Sequence, residues 1–166
     1  AEEAAKAAAK AQAKLYTRRR IGHPLFKNGT LEQVTAVLAA APVGEVIFRP
    51  SSKGPSHLTA TIKLTEQGQL LHVDISEEDK PSAAELGMSL FIGRDERSGE
   101  RGERYDDLDE VNARYVEPLC ENVRELVGHR KYLDARGLDA VEKTLQDEKR
   151  GNPATIPYRL APTVKY

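Results

Sequence analysis

The segment EVIFRPSSKGPSHLTATIKLTEQGQLLHVDIS, Glu45–Ser76, decides the fold. EVIFR is a run of branched and aromatic residues, the composition of a strand. SHLTATIKLT alternates strictly, with Leu58, Ala60, Ile62 and Leu64 on one side and His57, Thr59, Thr61 and Lys63 on the other. That period of two marks a half-buried strand. LLHVDIS repeats it, setting Leu71, Val73 and Ile75 against His72 and Asp74. The links are short and polar, and they carry Gly54 and Gly68. Three strands on such links predict an antiparallel meander.

The flanks add helices. TLEQVTAVLAA, Thr30–Ala40, offers Thr30 as N-cap with Gln33 three residues on, a capping-box pattern. Leu31, Val34, Val37 and Leu38 share one face, and Pro42 and Gly44 end the run. LDEVNARYVEPLCENVRELV, from Leu108, has the helical spacing Leu108, Val111, Tyr115, Leu119, Val123, Leu126, with Pro118 predicting a kink or break. Between strands and helix, EEDKPSAAELGM is polar with room for one helical turn, SLFIG reads as a short strand, and the charged Arg94–Arg104 reads as a solvated insertion loop. The predicted class is α+β, a central antiparallel sheet between two helices.

Residues 1–20 are rich in Ala, with Lys6, Lys10 and Lys14 four apart and YTRRR at the end. They read as a basic helical arm, either a solvated connector or a nucleic-acid or acidic-tail contact through Lys10, Lys14, Arg18, Arg19 and Arg20. Residues 21–127 form the first domain. Residues 128–166 read as a linker and the incomplete start of a second. There LDAVEKTL repeats the spacing of LEQVTAVL, and GNPATIPYRLAP loosely echoes the strand of Arg49. Without an initiator Met, the chain reads as a piece of a longer protein.

Totals narrow the classes. The 166 residues carry a formal net charge of -1, which argues against wholesale nucleic-acid binding. Cys120 is the sole cysteine, which suits a reducing compartment. The four histidines lack metal-ligand spacing, and no cofactor is expected. Neither a nucleophile–His–acid pattern nor a phosphate-cradling loop before a helix appears, so an enzyme is not expected. No bilayer-spanning run appears, so no membrane partner is expected.

Arg49 is the residue that asks for a function. It shares a face with Ile47 on a strand covered by helices on both sides, and an isolated buried charge is costly. Ser51, Ser52, Lys53 and Gly54 follow: hydroxyls, an ammonium and a turn with free N–H groups. An arginine fork matches phosphate oxygens, and consecutive N–H groups make an anion nest. His72 faces the same spot, with Thr59 and His57 at the rim. The competing reading is a buried Arg49 paired with a distant acid such as Asp106, Asp107 or Asp109.

With its arginine followed by serines, VIFRPSS resembles the strand signature of Src-homology-2 domains, and LLHVDI the adjoining strand with its histidine. YDDLDEVNARYVEP resembles the closing helix. More narrowly, HPLFKNGTLEQV, EVIFRPSSKGPSHLT, HVDISEEDK and ELGMSLFIG are similar to the first unit of the tandem module found in a family of transcription elongation factors that are also histone chaperones. The resemblance implies Arg49, Ser51, Ser52, Lys53, Gly54 and His72 as phosphate ligands. It implies the phosphorylated largest subunit of RNA polymerase II as partner, bound through the linker before its C-terminal repeats. It also implies a nuclear location and nucleic-acid or histone contacts elsewhere in the parent protein; we expect a monomer.

Two departures matter. IGHPLF stands where the family usually starts with Trp. Asn28 or Gly29, and Asp74, hold the positions whose cations usually flank a phosphotyrosine ring. Such contacts are worth about 0.5–2 kcal/mol. The expected pocket therefore accepts phosphothreonine or phosphoserine as well as phosphotyrosine. Arg159 falls near the equivalent place in the second unit, but RLAP lacks the serines and glycine, and no phosphate site is expected there.

Overall fold

The computed structural model describes residues 17–94, 99–134 and 137–161. They divide into two compact units, Ala1–Pro118 and Leu119–Tyr166.

In the first unit, helix α1 (Leu31–Ala39) precedes strands β1 (Val46–Pro50), β2 (His57–Lys63), β3 (Leu70–Glu78), β4 (Ser89–Arg94) and β5 (Arg101–Tyr105). The strands form one antiparallel sheet in sequence order. The capping box at α1 forms as the sequence predicts. Thr30 Oγ1 accepts the Gln33 N–H, and Gln33 Oε1 accepts the Thr30 N–H. The α1 face holds Val34 and Leu38 against Ile47, with Ala41 and Leu70 alongside. Buried Lys63 fastens the end of this helix: its Nζ donates to the carbonyls of Ala39 and Ala41 at 3.0 and 2.7 Å. A cation there also suits the helix dipole.

The alternation read from sequence survives in the register. Phe48 pairs with Ala60, and Ala60 with Val73, along one face; Arg49 pairs with Thr59, and Thr59 with Asp74, along the other. Phe48, Leu58, Ala60, Ile62 and Ile75 are completely buried on the apolar side. Leu108, Val111 and Val116 bury the inner face of the closing helical segment, so the sheet lies between two helices.

That segment begins with α2 (Leu108–Val111), widens into a π-turn at Asn112–Val116 and continues as α3 (Glu117–Gly128). Pro118 predicts a kink or break, and the chain answers with the π-turn, an irregularity that keeps the helix continuous. A proline ring crowds the carbonyl four residues back, and the wider turn with its Glu117 N–H to Asn112 carbonyl bond relieves that crowding. The acids at the start of α2 cap it: Asp107 Oδ1 accepts the Glu110 N–H, and Glu110 Oε2 accepts the Asp106 N–H.

Three expectations need correction. Arg94–Arg104 is not simply a solvated loop, because Arg101–Tyr105 pairs with β4. Its charges mask the strand pattern, while Gly102 allows a close approach: a Cβ there would lie 2.0 Å from the Ile92 carbonyl oxygen. EEDKPSAAELGM forms no helical turn; β3 extends to Glu78 and a loop follows. Residues 17–20 are not helical, whereas the arm was expected to be a helix to residue 20. The rest of the arm, including Lys6, Lys10 and Lys14, lies outside the described residues.

The second unit contains α4 (Leu138–Gly151), the helix predicted from its repeated spacing. GNPATIPYRLAP makes only an isolated parallel bridge, Tyr132 with Leu160, among its described residues. The first unit has the same device ahead of its helix. Phe26 bridges Phe48 in parallel, with Lys27 N–H to Phe48 O and Phe48 N–H to Leu25 O. The second repeats it as Leu133 N–H to Leu160 O and Leu160 N–H to Lys131 O.

Candidate functional site

Arg49 is only 6 % exposed, on the sheet face that carries α1. Its Nε donates to Thr61 Oγ1 at 3.2 Å and its Nη1 to the Pro50 carbonyl at 3.3 Å. Among the described residues no carboxylate lies within ion-pair distance, and Nη2 has no protein acceptor. Asp106, Asp107 and Asp109 are engaged elsewhere: Asp106 by Arg104, Asp107 in capping α2 and Asp109 by His23. A buried guanidinium with neutral neighbours and unused donors is suited to bind an anion.

His72 stands across the same hydroxyl, its Nδ1 3.1 Å from Thr61 Oγ1. Burial first, then the charge of Arg49, holds this imidazole below its ordinary pKa of 6.5. It is therefore neutral at pH 7. Thr61 Oγ1 accepts from Arg49 Nε and shares a second hydrogen bond with His72 Nδ1, so the hydroxyl links the two side chains.

The turn after β1 supplies the remaining donors. Ser51 is buried, and its Oγ accepts the Lys53 N–H at 3.2 Å. Gly54 adopts φ 118°, a conformation that glycine reaches without strain. Exposed Ser52 has an N–H with no protein partner among the described residues. Arg49, Ser51, Ser52, Gly54 and His72 thus occupy neighbouring positions on β1, its turn and β3.

Lys53 and His57 have another allegiance. Asp74 Oδ2 accepts Lys53 Nζ at 2.9 Å and lies 3.1 Å from His57 Nδ1. Thr59, expected at the rim, is buried and lies between Arg49 and Asp74 in register. Sequence reading missed Thr61, the hinge between Arg49 and His72. The strict alternation around Thr61 was the available signal. Asp74 was noticed as a missing cation but not as the partner of Lys53.

Two hollows lie near the end of β1, the first of them reaching the turn at Lys53. One of about 450 Å³ is lined by Lys53, His57, Asp74, Ser76, Phe91 and Arg101. The other, of about 300 Å³, lies by Arg18, Asn28, Gly29, Thr30 and Pro50. Arg19 is not a free cation of the arm, because its guanidinium is buried against Glu77. Among the described residues no group of His, Cys, Asp or Glu is placed to hold a metal, and no helix is long and apolar enough to cross a membrane.

In the second unit the parallel bridge sets the correspondence Phe48 to Leu160, so Ala161 takes the place of Arg49. Arg159 instead pairs with Glu148, and its Nη1 reaches the Arg130 carbonyl.

Comparison with known proteins identifies the family and the fold. The family model described as SH2 domain matches residues 1–166. The transcription elongation factor SPT6 of Drosophila melanogaster is 41 % identical over 151 residues, which cover 87 % of this chain and 8 % of that protein. The chain spans about a tenth of the length of the curated relatives it matches. A solved tandem SH2 domain of the elongation factor Spt6, reported to bind the phosphorylated C-terminal repeat domain of RNA polymerase II, superposes with a TM-score of 0.77 at 28 % identity. That match covers 88 % of this chain and 70 % of the other. The tandem SH2 domains of Antonospora locustae Spt6, with a TM-score of 0.57, 22 % identity and coverage of 76 % and 60 %, share the fold.

Proposed function

The chain belongs to the SH2 domain family, and on that premise we propose that it is a phosphopeptide-binding module of an elongation factor, recruiting that factor to phosphorylated RNA polymerase II. The observation that carries this reading is buried Arg49, which has no carboxylate partner among the described residues and stands behind a turn with a free Ser52 N–H. The relative reported to bind the phosphorylated repeat domain supports the choice of polymerase. The phosphate is held by Arg49, Ser51, Ser52, Gly54 and His72, with Lys53 joining when it leaves Asp74. His57 and Thr59 border the site.

The position of a flanking lysine is held by Asp74, whose carboxylate favours no aromatic face. The pocket therefore accepts phosphothreonine and phosphoserine as well as phosphotyrosine, and its natural target is the linker preceding the polymerase repeats. Residues 21–127 constitute this module, and 128–166 a linker with the start of a second unit that lacks the arginine. The parent protein works in the nucleus as a histone chaperone, and the module is a monomer.

Peptide titration tests the reading. A phosphothreonine peptide from the linker should bind this chain, its unphosphorylated twin should not, and a repeat peptide should bind more weakly. Replacing Arg49 by Ala should cost about 1.5–3 kcal/mol, the range of a charge-assisted hydrogen bond, or roughly 10- to 150-fold in affinity. Unchanged binding in that variant would refute the role of Arg49. The alternative, nucleic-acid or acidic-tail binding by the arm, loses one of its cations to the Arg19–Glu77 pair.

A further inference from the structure

Behind the proposed phosphate turn lies a buried ion pair. Arg19 donates to Glu77 through Nη1 at 2.8 Å and Nη2 at 2.6 Å, and the two side chains are 1 % and 0 % exposed. The remaining guanidinium hydrogens reach the carbonyls of Ala84, Pro55 and Glu85. All five donors of the arginine are thereby used. Glu77 Oε1 also accepts the Gly87 N–H at 3.0 Å and Lys80 Nζ at 3.1 Å. The backbone of Arg19 is held as well, by reciprocal bonds with the Asn28 side-chain amide at 2.8 and 2.7 Å.

The placement matters. Glu77 continues the face of Val73 and Ile75 on β3, opposite His72 and Asp74. Arg19 therefore reaches the β1–β2 turn from the side away from Arg49. The pair grips the end of the turn at Pro55, through Arg19 Nη1 at 3.2 Å; the neighbouring Ser56 carbonyl is held by the main-chain N–H of Glu77 at 2.8 Å, independently of the Glu77 side chain. The turn has its own ties: His57 N–H to Gly54 O and Lys53 N–H to Ser51 Oγ are 3.2 Å, and Lys53 Nζ meets Asp74. Ser51 N–H to His57 O and Gly54 N–H to Ser51 O are both 3.4 Å long. Its shape depends also on how its far end is held, by the Arg19 bond to Pro55.

We propose that Arg19 and Glu77 are positioning residues for phosphate recognition: buried and touching no ligand, Glu77 fixes the Arg19 guanidinium and Arg19 clamps Pro55, so that Ser51–Gly54 present their donors to the anion beside Arg49. This rests on the phosphate-site reading above. A fully bonded buried pair confers little net stability over an apolar pair of similar size. It does impose one geometry on the four segments it joins, because leaving any of these polar groups unpaired is costly.

The test compares wild type with Arg19→Lys, Arg49→Ala and the double variant Arg19→Met/Glu77→Met. Each is titrated with a phosphothreonine linker peptide and its unphosphorylated twin, and amide hydrogen exchange is read residue by residue. Lysine keeps the charge but cannot serve five acceptors. Arg19→Lys should weaken phosphopeptide binding about tenfold, with faster exchange confined to the turn at 51–56. Arg49→Ala should weaken binding without that exchange signature. If folded Arg19→Lys binds like wild type, or if exchange accelerates equally across β1–β3, the clamp is refuted. If Arg19→Lys does not fold, the double variant, which leaves no lone buried charge, decides by the same two readouts. Failure of wild type to prefer the phosphorylated peptide, or normal binding by Arg49→Ala, would overturn the phosphate site instead. The exchange pattern then still judges the clamp alone.

Discussion

Arg49 donates its Nε hydrogen to the hydroxyl of Thr61, 3.2 Å away. The same hydroxyl lies 3.1 Å from His72 Nδ1, so one small side chain orients both polar groups at the back of the site.

Thr61→Val should expose that dependence. The shape is nearly kept, but Arg49 Nε and His72 Nδ1 each lose a partner. Phosphopeptide affinity should fall about tenfold, in keeping with ~1–3 kcal/mol for a buried group left unpaired. Thr61→Ser retains the hydroxyl and should bind nearly as wild type. Calorimetric titration of the two variants side by side would check this.

Stability of the unliganded chain should depend on pH through His72. Its folded pKa lies below the ordinary 6.5, because of burial and then Arg49. The unfolded chain thus takes up a proton at higher pH than the folded one, and stability rises with pH across that window. The contribution is full above about 6.5 and is lost as pH falls toward the folded pKa. Urea melts at pH 5.5 and 7.5 should show a drop in the wild type at the lower pH that is smaller in His72→Asn. An equal drop in both proteins would exclude His72 as the source.

Asp74→Lys should change which phosphoresidue is preferred. The substitution frees Lys53 and restores a cation next to the aromatic position. Phosphotyrosine peptides should gain relative to phosphothreonine peptides by a few-fold to about thirtyfold, the equivalent of ~0.5–2 kcal/mol. Matched peptides differing only in the phosphorylated residue would measure the ratio, and an unchanged ratio would remove Asp74 from the specificity argument.

Arg159→Ala should leave phosphopeptide affinity unaltered, since Ala161 stands in the register position of Arg49 and Arg159 is committed to Glu148. The variant should instead loosen the second unit, seen as faster amide exchange at Lys131–Leu133.

Much of the sheet was legible because alternation is local. Once Leu58, Ala60 and Ile62 are assigned to one side, Thr59 and Thr61 must take the other, and Arg49 and His72 follow by pairing. The strand at Arg101–Tyr105 was not legible. It is charged, its burial is slight until Tyr105, and it pairs through backbone bonds that leave no mark on side-chain pattern. Lys53 was read as a phosphate ligand because it sits in the turn. Its Asp74 partner is 21 residues away.

Arg19 draws the line between the two kinds of information. The sequence alone determined a helix–sheet–helix order, the polar face carrying Arg49 and His72, and the glycine turn between β1 and β2, since each follows from side-chain period and local backbone preference. It placed Arg19 among three successive arginines with nothing to tell them apart. Only the tertiary structure separated them, by bringing Glu77 from 58 residues away to a site closed to water. There an unpaired charge would be prohibitive, so the ion pair forms, and with it the support behind the turn.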